Sequence, residues 1–182
     1  MEVCKVIILD YFTQTMNKNT SRPYHREKIL QVVDESCFRL YKAVLRDDIV
    51  YKIGDKIELK DSLEWLENIQ SINYMSLTSG SKIELEHTIR AIIEDDVKKF
   101  ISFYNHSTPI SIRLHQLNLL PGVGGKLRDK ILQERKKNKF ENFDDLIDRV
   151  GGLYNPQEII FKRIMDELKD TNLKYPLFVV RN

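Results

Sequence analysis

The first part of the chain, up to about Tyr74, contains short stretches in which apolar and polar residues alternate. A period of two is typical of β-strands, and turn residues such as Gly54-Asp55 separate the stretches. The predicted strands cover residues 6–9, 29–33, 38–45, 49–53 and 56–59. Because closing a sheet on itself removes its unpaired edges, the pattern favours a small OB-like β-barrel over residues 1–75.

One predicted strand, at residues 38–46, carries side chains that could bind a ligand. Its alternation assigns Phe38, Leu40 and Val44 to the core and Arg39, Tyr41 and Leu45 to the opposite face. A basic and an aromatic side chain on one face are typical of surfaces that bind a nucleic-acid backbone and stack on bases. Arg39 and Tyr41 are therefore candidates for a binding surface, although ordinary surface residues would give the same pattern.

After Tyr74 the hydrophobic period lengthens to about 3.6 residues, which is the period of an α-helix. The pattern predicts one long amphipathic helix from about Ile83 to Tyr104, within a connecting segment at residues 76–110. The region that follows, residues 111–182, is predicted to be helical with a final strand. Its elements are predicted at residues 111–119, 124 or 125 to 137, 143–150, 156–169 and, for the strand, 175–181. The predicted fold class is α+β.

The charged residues are unevenly distributed along the 182 residues, whose net charge is +2. Residues 1–110 hold 15 basic and 17 acidic side chains, whereas residues 111–182 hold 14 basic and 10 acidic ones. Residues 126–139 alone carry seven basic and two acidic side chains. Such a block binds a polyanion by releasing counterions, but a solvated helix face has the same composition.

Five of the seven glycines fall between Gly122 and Gly152, so the backbone is unusual in this part of the chain. In the segment Leu120-Pro121-Gly122-Val123-Gly124, the proline ends a helix and Gly122 permits a sharp turn. Val123 is expected to fill the apolar gap between two helices. The next helix then begins with unpaired amide groups, which together with the helix dipole form a site suited to a backbone phosphate.

This segment resembles the helix-hairpin-helix motif, a sequence-independent nucleic-acid-binding element. The resemblance rests on residues 120–124 together with Lys126 and Ile131. Arg128 stands where the motif usually has alanine, so either the two helices are splayed or Arg128 points outward. Residues 150–153 loosely repeat the hairpin sequence, which suggests a second, diverged hairpin. A hairpin that packs only against protein is the alternative interpretation.

The resemblance extends to most of the chain. Residues 8–12, 113–117 and 139–146 are similar to an archaeal family known as domain of unknown function 655, whose members are usually labelled RNA-binding or nucleotide-binding proteins. The resemblance implies an amino-terminal OB-like barrel joined to a helix-hairpin-helix region. It also implies work on RNA or DNA, since the family's genes tend to lie near those for translation and ribosomal RNA methylation. It supplies no known reaction.

The residues expected to bind nucleic acid lie in the hairpin and in the basic block. They are Gly122, Val123, Gly124, Gly125, Lys126, Arg128, Lys130, Arg135, Lys136, Lys137 and Lys139, with Arg39 and Tyr41 as a second surface. No catalytic residue, metal site or cofactor is predicted, because the histidines, cysteines and acidic pairs show no ligand spacing. His115 is interpreted as a packing or capping group rather than a general base.

The leading hypothesis is a nonenzymatic, largely sequence-independent RNA-binding protein linked to translation or to ribosome or RNA processing, which holds phosphates through the helix-hairpin-helix. The alternatives are a DNA-binding accessory factor in repair or replication and a protein-interaction adaptor. The expected partners are nucleic acid, with RNA favoured over DNA, and ribosomal or RNA-processing proteins. The sequence shows no apolar run of the roughly 20 residues that span a bilayer. It also shows no signal peptide, so we expect a cytoplasmic protein without membrane contact. We further expect it to be a monomer.

Overall fold

The computed structural model describes residues 5–16, 25–45, 51–58 and 66–181. The chain divides into two compact units. The first comprises residues 1–88 and 168–182, and the second comprises residues 89–167. The three-part division expected from the sequence stays a prediction.

A five-stranded antiparallel sheet forms the centre of the first unit. Its strands are β1 (Lys5–Met16), β2 (His25–Asp34), β3 (Leu40–Leu45), β4 (Lys56–Glu58) and β5 (Leu66–Ile72). They lie in the order β4-β1-β2-β3-β5. One face carries a core cluster composed of Val6, Ile8, Leu30, Val32, Ala43, Leu45, Ile57 and Leu66. Together with the helices, the sheet confirms the predicted α+β class.

Closure of this sheet into an OB-like barrel is not confirmed. The strands β4 and β5 lie at the two edges, and no pairing joins them within the ranges that the structure describes. Residues 51–53 are not a strand, and residues 49–50 of the same predicted strand lie outside the described residues. β5 was not predicted, because its apolar residues Leu66, Ile69 and Ile72 are three apart. That spacing arises from a bulge at which Asn68 has a φ of +51°.

The predicted assignment of faces in β3 is wrong. Tyr41 pairs with Val32 and Ala43 pairs with Leu30, so Tyr41 and Leu45 lie on the side of the core cluster. Leu40 is also buried, but on the opposite side of the strand. Because both faces of β3 bury apolar side chains, the alternation of apolar and polar residues does not identify the core face.

Five α-helices follow the sheet in the described part of the chain. They are α1 (Ser79–Asp95), α2 (Val97–His106), α3 (Gly125–Lys137), α4 (Phe143–Arg149) and α5 (Pro156–Lys169), with 3-10 helices at Tyr74–Ser76 and Gln116–Leu119. The single helix predicted from Ile83 to Tyr104 is broken at Asp96, whose carboxylate accepts a hydrogen bond from the Lys99 amide at 3.2 Å. Asp96 therefore ends one helix and caps the next. Predicted helices at α3, α4 and α5 are confirmed.

Two further predicted elements are wrong. Residues 111–114 form a tight turn instead of a helix, with the Ile110 amide donating to the Leu114 carbonyl at 2.8 Å. Ile110, Ile112 and Leu114 are spaced by two, which is the period of extended chain. Residues 175–181 are not a strand. Tyr175 has a φ of +61°, which interrupts extended backbone, and the Val180 amide donates to the Cys37 carbonyl at 3.1 Å.

Candidate nucleic-acid interface

The hairpin predicted from the sequence is a tight turn between the second 3-10 helix and α3. The Val123 amide donates to the Leu120 carbonyl at 3.1 Å, and Gly122 between them has a φ of +79°. Proline at the second position and a left-handed glycine at the third are the requirements of a type II turn. Leu120 and Val123 are buried on either side of Gly122, so two apolar anchors hold an exposed glycine at the tip of the turn.

The first turn of α3 is open to solvent. Gly124 occupies the N-cap position and has no side chain with which to bond the first amide groups. Gly124 and Gly125 are exposed, and apart from their chain neighbours and the helix backbone, no described atom lies within 4 Å of the position that a Cβ would take at either residue. The first intrahelical hydrogen bond runs from the Arg128 amide to the Gly124 carbonyl at 3.0 Å. The preceding amides are thus left for an external acceptor.

Two lysines lie beside this helix start. Lys126, in the first turn, is exposed and has no hydrogen bond or ion pair to any residue that the structure describes. Lys130, one turn later, is also exposed, and its Nζ donates to the carbonyl of Gly151 at 2.7 Å. A cation in the first turn opposes the helix dipole, so an anion bound at the amides would relieve that repulsion.

Arg128 bonds to the 3-10 helix that precedes the turn. Its side chain donates to the Asn118 Oδ1 at 3.2 Å and to the Asp129 carboxylate at 2.8 Å. The same Asn118 side chain accepts from the His115 amide at 3.3 Å and donates to the Val123 carbonyl at 3.4 Å. Arg128 therefore braces the 3-10 helix and the turn, while part of its guanidinium stays accessible.

Arg135 is placed differently from the other predicted binding residues. Its guanidinium donates to the carbonyls of Tyr104 and Ser107, each at 2.9 Å, and so binds the carboxyl end of α2. Burial lowers the pKa of Arg135 from its ordinary value. We therefore assign Arg135 to the helix framework and not to the exposed surface.

Other arginines of the second unit bind helix ends in the same way. Arg149 donates to the carbonyls of Glu134 and Asn138, each at 2.7 Å, at the end of α3. Arg163 donates to the carbonyl of Leu119 at 3.1 Å, at the end of the 3-10 helix. These roles cannot be predicted from the sequence, because an arginine that binds a distant carbonyl has the same spacing as a solvated one.

The three remaining lysines of the basic block lie at and beyond the end of α3, and all are exposed. Lys136 has no partner within the described residues. Lys137 pairs with Glu134 at 2.6 Å, and the Nζ of Lys139 lies 2.9 Å from Nε2 of His106. These three side chains, together with Lys126 and Lys130, form what we call the lysine surface.

Arg39 and Tyr41 are neighbours in the first unit. A hydrogen bond to the Tyr41 side chain raises the pKa of Arg39, and the Arg39 Nε donates to the Val180 carbonyl at 3.0 Å. Tyr41 is half-buried and packs against the core cluster. The structure thus brings the two side chains together, and both are partly exposed.

His115 caps the second 3-10 helix, as the sequence indicates. Its Nδ1 accepts from the Leu117 amide at 3.1 Å. Burial lowers the pKa of His115, and the positive charges of Arg135 and Arg128 lower it further. An imidazole whose Nδ1 accepts a hydrogen bond is the neutral form with its proton on Nε2, and the lowered pKa favours that form, as a helix cap requires.

A second turn, at residues 150–153, repeats the geometry of the first. The Leu153 amide donates to the Val150 carbonyl at 3.1 Å, and Gly152 has a φ of +98°. The loose sequence echo therefore corresponds to a true structural repeat of the turn. Tyr154, which follows it, is 80% exposed and was not identified from the sequence as a functional residue.

Comparison with known proteins assigns the chain to a family. Residues 2–180 match the family described as "Protein of unknown function (DUF655)". The chain belongs to the DUF655 family. A relative described as "Uncharacterized protein MJ0038", from Methanocaldococcus jannaschii, is 35% identical over 156 residues, which cover 84% of this chain and 71% of the relative. The crystal structure of Af1531 from Archaeoglobus fulgidus, also DUF655, matches 97% of this chain and 99% of its own at 34% identity, with a TM-score of 0.80.

The described residues include neither a membrane-spanning helix nor a cluster of metal ligands. None of the described helices is both long and apolar enough to cross a membrane. Among the same residues, no group of three or more histidine, cysteine, aspartate or glutamate side chains is arranged to hold a metal ion.

Proposed function

We propose that this protein is a nonenzymatic, largely sequence-independent RNA-binding protein that holds backbone phosphate at the amino terminus of α3. In this proposal residues 116–137 act as a helix-hairpin-helix, with the turn at 120–123 as its hairpin. The observation that carries the proposal is the uncapped first turn of α3, with exposed Gly124 and Gly125 and space where side chains would stand. Amides that face solvent at the positive end of a helix suit an anion with several acceptor oxygens.

The lysine surface supports the choice of a polyanion. Lys126 flanks the amides directly, and Lys136, Lys137 and Lys139 extend the positive charge to the other end of the helix. A single phosphate would use only the first of these positions, whereas a nucleic-acid backbone presents phosphates in series. None of the groups at the uncapped turn is suited to reading base edges, so binding is expected to depend on salt and little on sequence.

The first unit supplies the second part of the proposal. We propose that its sheet is OB-like, since β1 pairs with both β2 and β4 while β3 pairs with both β2 and β5. Pairing of β4 with β5 would close such a sheet. Arg39, beside Tyr41, is the group on this unit that we propose contacts nucleic acid. The link to translation or RNA processing, and ribosomal or RNA-processing partners, rest on the family resemblance.

The experiment is a parallel titration of the full chain with duplex RNA, duplex DNA and single strands at two salt concentrations. A protein that binds through phosphates loses affinity steeply as salt rises, with a slope set by the number of contacts. Replacing Lys136, Lys137 and Lys139 together by alanine should reduce that slope by about one unit per lost phosphate contact. Lys98→Ala, at an exposed position on α2, is the control variant.

The outcomes separate the three candidate functions. Tighter binding of RNA than of DNA supports the proposal, and the reverse order supports the DNA-binding alternative. If no nucleic acid binds at low salt, the protein-interaction adaptor becomes the better interpretation. If the salt slope is unchanged in the triple variant, the lysines at the end of α3 do not contact the phosphates of the nucleic acid.

A further inference from the structure

The two turns of the second unit have the same backbone but end in different helix starts. In each, the fourth residue donates to the first carbonyl at 3.1 Å, and the third is a glycine with positive φ. Aligning Leu120 with Val150 places Gly124 opposite Tyr154. The position that is open and without a side chain in the first turn therefore carries an aromatic ring in the second.

The helix start after the second turn cannot hold a phosphate as the first one can. Pro156, the first residue of α5, has no amide hydrogen. The amide of Glu158 is already bonded to the Asn155 side chain at 3.2 Å. Two of the first three amides of α5 are thus absent or occupied, whereas the N-cap of α3 has no side chain to bond its first amides. A repeat that has lost the anion site still presents an exposed tyrosine at the same place.

The surroundings of Tyr154 are suited to a flat ligand next to a negative backbone. Its ring is 80% exposed, and a Cβ built at either Gly151 or Gly152 would meet nothing within 4 Å. The ammonium group of Lys130 is held against the Gly151 carbonyl at 2.7 Å, which places a positive charge at the turn. An exposed ring directly after a turn that also holds a cation matches the way single strands are bound, with bases on aromatic faces and phosphates on basic groups.

We propose that Tyr154 stacks on an unpaired base of the nucleic acid whose phosphates contact the first turn. The proposal rests on the proposed function and makes its substrate class more specific: a nucleic acid that has an unpaired base next to a phosphate-bound segment. The first turn binds the backbone irrespective of pairing, and the second turn favours strands in which a base is free to leave the stack. A fully paired duplex would use only the first turn.

The test compares three RNA ligands by fluorescence anisotropy with the full chain: a blunt duplex, the same duplex with a single-stranded tail, and that duplex with an abasic tail. Tyr154→Leu keeps an apolar side chain but removes the aromatic face, whereas Tyr154→Phe keeps the face and removes the hydroxyl. Tyr154→Leu should weaken binding of the tailed duplex roughly 10-fold. Binding of the blunt and abasic ligands should be unchanged, and Tyr154→Phe should bind all three like the native protein.

Two results would overturn the inference. One is a Tyr154→Leu variant that binds the tailed duplex as tightly as the native protein. The other is an equal loss of affinity for the blunt duplex and the tailed duplex. Thermal melting of each variant accompanies the titrations, and the exposure of Tyr154 makes a loss of folding an unexpected result. Lys126→Glu separates this inference from the proposed function, since it should weaken blunt-duplex binding, which the Tyr154 variants leave intact.

Discussion

Arg163 and Glu167 form an ion pair at 2.7 Å, one helical turn apart on α5, and both side chains are buried. Arg163 also donates to the Leu119 carbonyl, directly before the hairpin that we propose as the phosphate site. The pair therefore joins the last helix of the second unit to the element that carries the hairpin. Breaking this ion pair should therefore affect both the stability of the protein and its binding of nucleic acid.

Replacing Glu167 by alanine should strongly destabilise the protein. The change leaves the Arg163 guanidinium buried without its carboxylate, which typically costs about 3 to 5 kcal/mol of the free energy of unfolding. Urea denaturation of the native protein and the variant measures this difference. Lys137→Ala breaks an exposed ion pair with Glu134 and should cost at most about 1 kcal/mol. If both changes lower the free energy of unfolding equally, the buried ion pair contributes no more to stability than the exposed one.

The two glycines of the hairpin should respond differently to substitution. Gly122 has a φ of +79°, which a β-branched residue adopts only with strain, so Gly122→Val should lower the free energy of unfolding by about 1 to 3 kcal/mol. Gly124 has a φ of −78° and free space around it, so Gly124→Val should fold with little loss of stability. Its side chain would nevertheless cover the amides of α3 and weaken nucleic-acid binding. A Gly124→Val protein that melts normally and binds normally would contradict phosphate binding at these amides.

His115 should make the second unit less stable at mildly acidic pH. The pKa of His115 is lowered in the folded state, so the unfolded chain takes up a proton at a higher pH than the folded chain does. Stability from the neutral imidazole is therefore fully present above about pH 6.5 and is lost as pH falls through and below that value. Urea denaturation at several pH values should show this loss in the native protein.

The matched variant is His115→Asn, which keeps a side-chain acceptor for the helix cap and does not titrate. The difference in unfolding free energy between the variant and the native protein should shift in favour of the variant as pH falls. If that difference is the same at neutral and mildly acidic pH, titration of His115 does not contribute to stability.

Arg39 offers a test of the proposed second surface. Arg39→Ala removes the guanidinium that lies beside Tyr41 and should weaken RNA binding with a smaller salt slope, by about one unit if it contacts one phosphate. Lys52→Ala, at an exposed position in the same unit, should leave binding unchanged. Melting curves recorded for both variants separate lost contact from lost structure, because Arg39 also bonds the Val180 carbonyl. Identical affinities for Arg39→Ala and the native protein would exclude this surface.

The sequence predicted best where a single local rule decides the structure. Pro121, Gly122 and Gly124 define a turn and a helix start by their backbone properties alone, and α3 begins at Gly125 as expected. Pro156 likewise marks the first residue of α5. In these cases no distant residue is needed to select the conformation.

Prediction was poorer where tertiary contacts override the local pattern. Tyr41 lies on the core side of β3. Both faces of that strand bury apolar side chains, so the alternation of apolar and polar residues does not identify the core side. The break at Asp96 was not recognised, since an aspartate on an exposed helix face and an aspartate that caps a new helix have the same spacing. Arg135 was included in the basic block although the end of α2 holds its guanidinium.

The arginines at the helix ends also affect how the second unit folds. The last carbonyls of α2 are bonded by Arg135 on α3, those of α3 by Arg149 at the end of α4, and that of Leu119 by Arg163 on α5. Each of these three helix ends is thus bonded by a side chain that follows it in the chain, and the last of these side chains belongs to α5. We expect these helices to gain and lose their structure in one concerted transition rather than one after another.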